Sequence, residues 1–208
     1  MKKFFVGLLA AVLTLSLGVG SAVYLKRRAF AKRCAESTYF PPRVFGDSSR
    51  KGELLSKYLA ALQEPTFTCL DDDAEIYRLL YLPAFDYPTS IRVSRDGEQR
   101  MMTIKQLEAD WWPGEGAAAP TLRLNTTRPM TPAEWNHFKD LLTKANYWSM
   151  TPNSEDVGMD GLSNTLEGKR QGQYHVAYRW GPKEENFVDA CGYLLQLAKL
   201  EWKHAFQW

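Results

Sequence analysis

The stretch Thr165-Leu166-Glu167-Gly168-Lys169-Arg170-Gln171-Gly172-Gln173-Tyr174-His175-Val176-Ala177-Tyr178-Arg179-Trp180 decides the fold class of this chain. Tyr174, Val176, Tyr178 and Trp180 alternate with His175, Ala177 and Arg179. That period of two belongs to a strand with two different faces. Thr165–Glu167 supplies a partner strand, and the run from Gly168 to Gly172 reads as the turn region. Strands joined by tight turns predict an antiparallel sheet.

The same signals recur upstream. Ile91–Val93 and Met101–Ile104 flank Asp96-Gly97, a hairpin turn signal because both residues tolerate positive φ. Glu75 to Leu82 reads as a mostly buried strand. Leu122–Thr127 reads as a further short strand after the loop Trp111-Trp112-Pro113-Gly114.

Three helices complete the pattern. Leu54, Leu55, Tyr58, Leu59 and Leu62 recur at helical spacing, and Pro65 enforces an end. Thr131 and Glu134 form a capping box, with Pro132 at the first helical position and Met130 and Trp135 placed for a hydrophobic staple. Trp135, Phe138, Leu141, Leu142 and Ala145 then make one apolar face, and Asn146 suits the C-terminal cap. The last helix follows Pro182 and carries Phe187, Val188, Cys191, Leu194, Leu195, Ala198 and Trp202 at helical spacing.

The expectation is an α+β domain: an antiparallel sheet packed by about three helices on one face. An N-terminal apolar helix precedes it. Residues 1–25 form a signal anchor or signal peptide, 26–50 a Pro- and Ser-containing linker, and 51–208 a single domain. The composition over 208 residues, 45% hydrophobic and 24% charged, excludes a disordered, collagen-like or multi-span membrane chain.

Charge is unevenly placed. Residues 1–33 hold seven basic residues and no acid, whereas 34–208 carry 19 basic against 24 acidic residues. The basic character therefore marks a membrane boundary and does not argue for nucleic acid. Phe4 to Leu25 is an uncharged run of 22 residues, long enough to cross about 30 Å of hydrocarbon. A cleavable signal has a shorter apolar region, and Lys26-Arg27-Arg28 follows this one directly. These features favour a retained single-pass anchor in the cell (inner) membrane. Cleavage near Ala22, releasing a periplasmic or secreted domain, is the alternative. Basic residues after the run would hold the domain in the cytoplasm; the Lys-Lys start resembles an export signal, and the reading leans to export.

Cys34, Cys69 and Cys191 are the cysteines. Cys34–Cys69 is the pairing to test, and Cys191 reads as a small buried hydrophobe on a helix face. No Cys/His metal spacing occurs, so no metal or other cofactor is expected.

Glu167, His175 and Arg179 are the candidate catalytic residues. With a four- or five-residue loop, Glu167 comes near His175 across the hairpin, and a Glu–His pair can orient a general base. Arg179 lies four residues after His175, on the same face of a strand. A half-buried cross-strand polar pair is the competing reading. Asp71-Asp72-Asp73 lacks the oxygen spacing and glycine of a calcium loop and reads as a solvated turn. Adjacent Trp111 and Trp112 cannot both face one core, so one is expected at the surface as an interface residue. Asn125-Thr126-Thr127 is a bare glycosylation sequon.

Several segments resemble the C-terminal half of an uncharacterised family of bacterial exported or membrane-anchored proteins. They are Thr131-Pro132-Ala133-Glu134-Trp135, Asp160-Gly161, Leu166-Glu167-Gly168, Gly172-Gln173-Tyr174-His175, Arg179-Trp180-Gly181-Pro182, Cys191 and Leu194-Leu195. The resemblance covers roughly residues 130–200. Relatives tend to carry Trp shortly after the Asp-Gly, where this chain has Ser163 and Asn164. The family implies a fold and an address but no established reaction. The leading functional expectation is a non-enzymatic binding module, immunity- or inhibitor-like, held by residues 4–25 in the membrane and engaging a protein partner. A hydrolase or transferase using Glu167, His175 and Arg179, and a structural subunit of an envelope assembly, are the alternatives.

Overall fold

The computed structural model describes residues 38–200 except 47–48, 71–72, 74, 110, 115, 117–118 and 155–160. The expected N-terminal apolar helix, Cys34, Asp71, Asp72, Asp160 and Trp202 lie outside the described residues. Among those described, no helix is long and apolar enough to cross a membrane.

Six strands form one antiparallel sheet: β1 (Glu75–Pro83), β2 (Thr89–Asp96), β3 (Gln99–Leu107), β4 (Leu122–Pro129), β5 (Leu162–Arg170) and β6 (Gln173–Trp180). Their spatial order is β4-β3-β2-β1-β5-β6, so β4 and β6 are the edges. Three helices pack on it: α1 (Ser49–Ala61), α2 (Pro132–Lys144) and α3 (Glu185–Leu197). The α+β architecture is the expected one.

The helices do not share one face. Tyr77, Leu79 and Tyr81 of β1 join a core with Trp135, Phe138, Phe187 and Leu194 of α2 and α3. Leu80, from the opposite side of the same strand, joins a second core with Leu55, Tyr58 and Leu59 of α1. Both faces are covered, which is why β1 reads as a nearly continuous apolar run rather than an alternating one. Tyr77 centres the first core. Trp135, Phe138, Tyr147 and Trp148 surround its ring at centroid distances of 5.5–6.4 Å. Each such aromatic pair contributes roughly 0.5–1.5 kcal/mol beyond its buried area.

Within the stretch read as a linker, Phe40 and Phe45 are buried in the second core, and α1 starts at Ser49. The packed domain therefore begins before residue 51. The carboxyl ends of α1 and α3 share one device. Gln63 and Lys199 take left-handed φ of 53° and 57°. The next amide then bonds back: Glu64 N–H to the Leu59 carbonyl at 3.0 Å, and Leu200 N–H to the Leu195 carbonyl at 2.9 Å. This Schellman arrangement ends α1 before Pro65 can act and stops α3 at Leu197, ahead of Trp202.

α2 starts as its sequence predicts. Glu134 N–H donates to Thr131 Oγ1 at 3.1 Å, and Thr131 N–H donates to Glu134 Oε2 at 2.7 Å. Asn146 takes the left-handed position one residue past the C-cap Ala145, with φ 50°.

Candidate functional site

The β5–β6 loop holds two residues, Gln171 and Gly172, with φ of 48° and 74°. Two successive positive φ values define a type I′ turn, which suits the twist of a hairpin. Arg170 pairs with Gln173, Gly168 with His175, and Glu167 with Val176. Glu167 therefore projects to the α1 side, and His175 and Arg179 project to the α2–α3 side. The three-residue Glu–His–Arg face anticipated from a longer loop is not assembled.

His175 is half-buried, with its ring 4.9 Å from that of Tyr147. Its Nε2 is buried with no hydrogen-bond partner among the described residues. Burial, and then the charge of Arg179, hold its pKa below the ordinary value. Arg179 is buried and committed elsewhere. Its Nε donates to Glu184 Oε1 at 2.6 Å and its Nη1 to the Thr151 carbonyl at 3.0 Å.

Glu167 belongs to a buried charge layer between the sheet and the segment after α1. Arg78 Nη2 donates to Glu167 Oε2, and Tyr174 Oη donates to Glu167 Oε1 at 3.1 Å. Glu64 Oε2 lies 2.9 Å from Arg92 Nε and 3.6 Å from Arg78 Nη1, and Glu64 Oε1 lies 3.2 Å from Lys105 Nζ. The cations also hold backbone: Arg78 donates to the Pro65 carbonyl at 2.6 Å, Lys105 to that of Gln63 at 2.6 Å, and Lys169 to that of Leu70. Arg78 and Glu167 are each 1% exposed. Burial opposes the charge of Arg78, but Glu167 and Glu64 outweigh it and raise its pKa. Burial raises the Glu167 carboxyl against the pull of Arg78 and Tyr174. Both Glu167 oxygens are occupied in a buried setting, where the carboxylate holds Arg78, and Arg78 with Lys105 and Lys169 holds the backbone of residues 63–70. Sequence reasoning passed over Arg78 and Glu64. The available signal was a lone arginine inside the apolar strand Glu75-Ile76-Tyr77-Arg78-Leu79-Leu80: a buried charge needs a buried partner.

The tryptophan pair behaves differently. Trp111 is half-buried and Trp112 is 63% exposed. Both pack edge-on to Tyr58 of α1, with centroids 5.6 and 6.0 Å away. Burial pushes the Tyr58 hydroxyl up to about 12. Around these rings lies an open groove of about 630 Å³, with Leu82 and Pro83 of β1 and Trp180 of β6 among its walls. Phe85, 76% exposed, stands on the same groove. Phe85 and Trp112 are the exposed large hydrophobics among the described residues. Phe85 carried no sequence signal, since its exposure depends on the β1–β2 connection.

Cys69 is disulfide-bonded, and Cys191 is a buried free thiol. Among the described residues no group of three or more His, Cys, Asp or Glu could hold a metal ion. Asp73 is exposed in its turn. No protein-family model, curated protein or solved structure matches this chain.

Proposed function

We propose that this chain is a non-enzymatic binding module, tethered to the membrane or exported, that engages a protein partner in the manner of an immunity or inhibitor protein. The observation that carries this reading is the joint placement of Phe85 and Trp112 on one groove. Exposed aromatic side chains clustered on a concave surface are characteristic of recognition sites. The partner surface complementary to it is apolar, offering side chains that fill the space between Phe85, Tyr58 and Trp112. The burial of Glu167 against Arg78 and Tyr174 weighs in the same direction, because general-base chemistry needs a carboxylate that a substrate can reach. A disulfide at Cys69 fits an oxidising, extracytoplasmic compartment.

The test is site-specific photo-cross-linking in cells, with a photoreactive residue at position 112 of the full chain and a control at Thr126 on edge strand β4. The expected result is a discrete adduct from position 112 that disappears when Phe85→Asp is added. Equal adducts from both positions, or none above background from position 112, would overturn the reading.

A further inference from the structure

The two sides of α1 differ in chemistry. Leu54 and Tyr58 line the aromatic groove. On the other side, Gly52, Ser56 and Lys57 line a second groove of about 620 Å³ with Pro41, Pro42 and Arg43. Arg43 is exposed there, held at φ 60° in a tight turn closed by Gly46 N–H donating to its carbonyl at 2.9 Å. Arg50, Lys57 and Ala60 are exposed along one stripe of α1. Arg43, Arg50 and Lys57 make no ion pair among the described residues. Glu53, exposed on the same stripe between Arg50 and Lys57, also lines this groove and is the one exposed acid described in this part of the chain, so the three cations outnumber it.

The segment that carries this face is basic and the rest of the domain is acidic: residues 38–57 hold four basic against two acidic residues, and residues 58–208 hold fifteen against twenty-one. The face is also where the chain comes from its apolar run. Thr38, on the second groove, follows the end of Phe4–Leu25 by twelve intervening residues. Fully extended, twelve residues reach about 40 Å, so a domain tethered by that run stays close to the bilayer. The sheet gives the direction. Phe45 meets the Tyr178 ring at 6.3 Å, and Lys51 Nζ lies 4.0 Å from the centroid of the same ring, so this face adjoins edge strand β6. Strand β4 is the opposite edge, about 24 Å away at about 4.8 Å per strand spacing.

We infer that the face carrying Arg43, Arg50 and Lys57 docks on an anionic phospholipid bilayer, holding the domain against the membrane with the β4 edge away from it. Basic residues close to a membrane are attracted by its negative surface potential, within a Debye length. The tethering of the chain is part of the proposed function, and this inference rests on it.

The full chain, with a fluorophore on Ala60→Cys or on Thr126→Cys, is reconstituted into vesicles that carry a headgroup-level quencher lipid. The expected result in phosphatidylcholine–phosphatidylglycerol vesicles is severalfold stronger quenching at position 60 than at 126. That contrast should collapse in pure phosphatidylcholine, in high salt, and in the variant Arg43→Glu/Arg50→Glu/Lys57→Glu. Circular dichroism melting checks that the variant is folded; if it is not, Arg43→Gln/Arg50→Gln/Lys57→Gln replaces it. Equal quenching at the two positions, or a contrast indifferent to lipid charge and to these variants, overturns the inference. If carbonate washing strips the chain from membranes, the tether fails on its own. Flotation with the anionic vesicles then decides: co-flotation lost in the charge-reversed variant supports the face, and no flotation overturns it.

Discussion

Glu167 and His175 stand on opposite faces of the sheet, one register step apart: His175 faces Gly168 across the ladder, and Glu167 faces Val176. Two odd-numbered residues on the arms of a hairpin share a face only when the loop holds an odd number of residues, because side chains alternate strictly along each strand. This loop holds Gln171 and Gly172 alone. The parity of the turn therefore sends Glu167 into the charge layer under α1 and His175 against Tyr147.

The Arg78–Glu167 pair should behave as a buried pair does. Glu167→Leu leaves Arg78 with Glu64 at 3.6 Å as its nearest acid and should cost about 3–5 kcal/mol in urea unfolding. Arg78→Leu should cost a similar amount. The double variant should cost clearly less than the two losses added, since no charge is then left unpaired between positions 78 and 167. Additive losses would mean that the two side chains are not coupled.

Gly168→Ala should destabilise the fold by about 1–3 kcal/mol, the usual cost of overpacking. A Cβ at this position would lie 2.8 Å from Tyr77 Cδ1 and 3.2 Å from Tyr147 Cε1, and both rings sit in the core. Gly168→Ala in a Tyr77→Leu background should lose much of that penalty. An unchanged melting temperature for the single variant would contradict the packing described here.

Thr131→Ala removes the acceptor for the Glu134 amide. The expected loss is about 1 kcal/mol, measured by thermal or chemical unfolding. Glu134 would keep its bond from the Thr131 amide and its pairing with Arg128 at 3.0 Å, so the helix start should persist. A variant that melts like the parent would place the start of α2 elsewhere.

His175 should make the fold acid-sensitive. Its folded pKa is depressed, so the unfolded chain takes up the proton first as pH falls. Stability is then complete above the ordinary value of 6.5 and declines as pH drops below it towards the folded value. His175→Gln should flatten that slope in urea midpoints measured either side of 6.5. The same variant tests chemistry. On a panel of ester, glycoside, phosphate and peptide substrates, His175 should matter little; a loss of about 10²-fold or more, in a folded variant, would be the mark of a general base.

Much of the architecture could be read from local chemistry. The capping box at Thr131 and Glu134, the Asp96-Gly97 turn and the alternation of Tyr174 to Trp180 each specify backbone conformation within a few residues. Such signals need no knowledge of distant contacts. One tryptophan of Trp111-Trp112 is exposed as the sequence suggested, but not because the two point apart on a strand: both rings pack on Tyr58, and Trp112 is the more solvent-exposed of the two. What could not be read locally was the second layer: that α1 covers the face opposite α2 and α3, and that Phe40 and Phe45 belong to its core.

By itself the sequence determined an antiparallel α+β domain with three helices, the start of α2, and a basic N-terminal quarter joined to an acidic remainder. Only the tertiary structure decided which side chains meet. Glu64 reaches Arg78, Arg92 and Lys105 because Gln63 turns the chain back at the end of α1. Phe85 joins Trp112 because separate strand connections converge on one groove. The physical reason is that propensity and period set the conformation of each segment, whereas a contact across twenty or more residues depends on turn parity and on the face each helix selects when both sides of the sheet need covering.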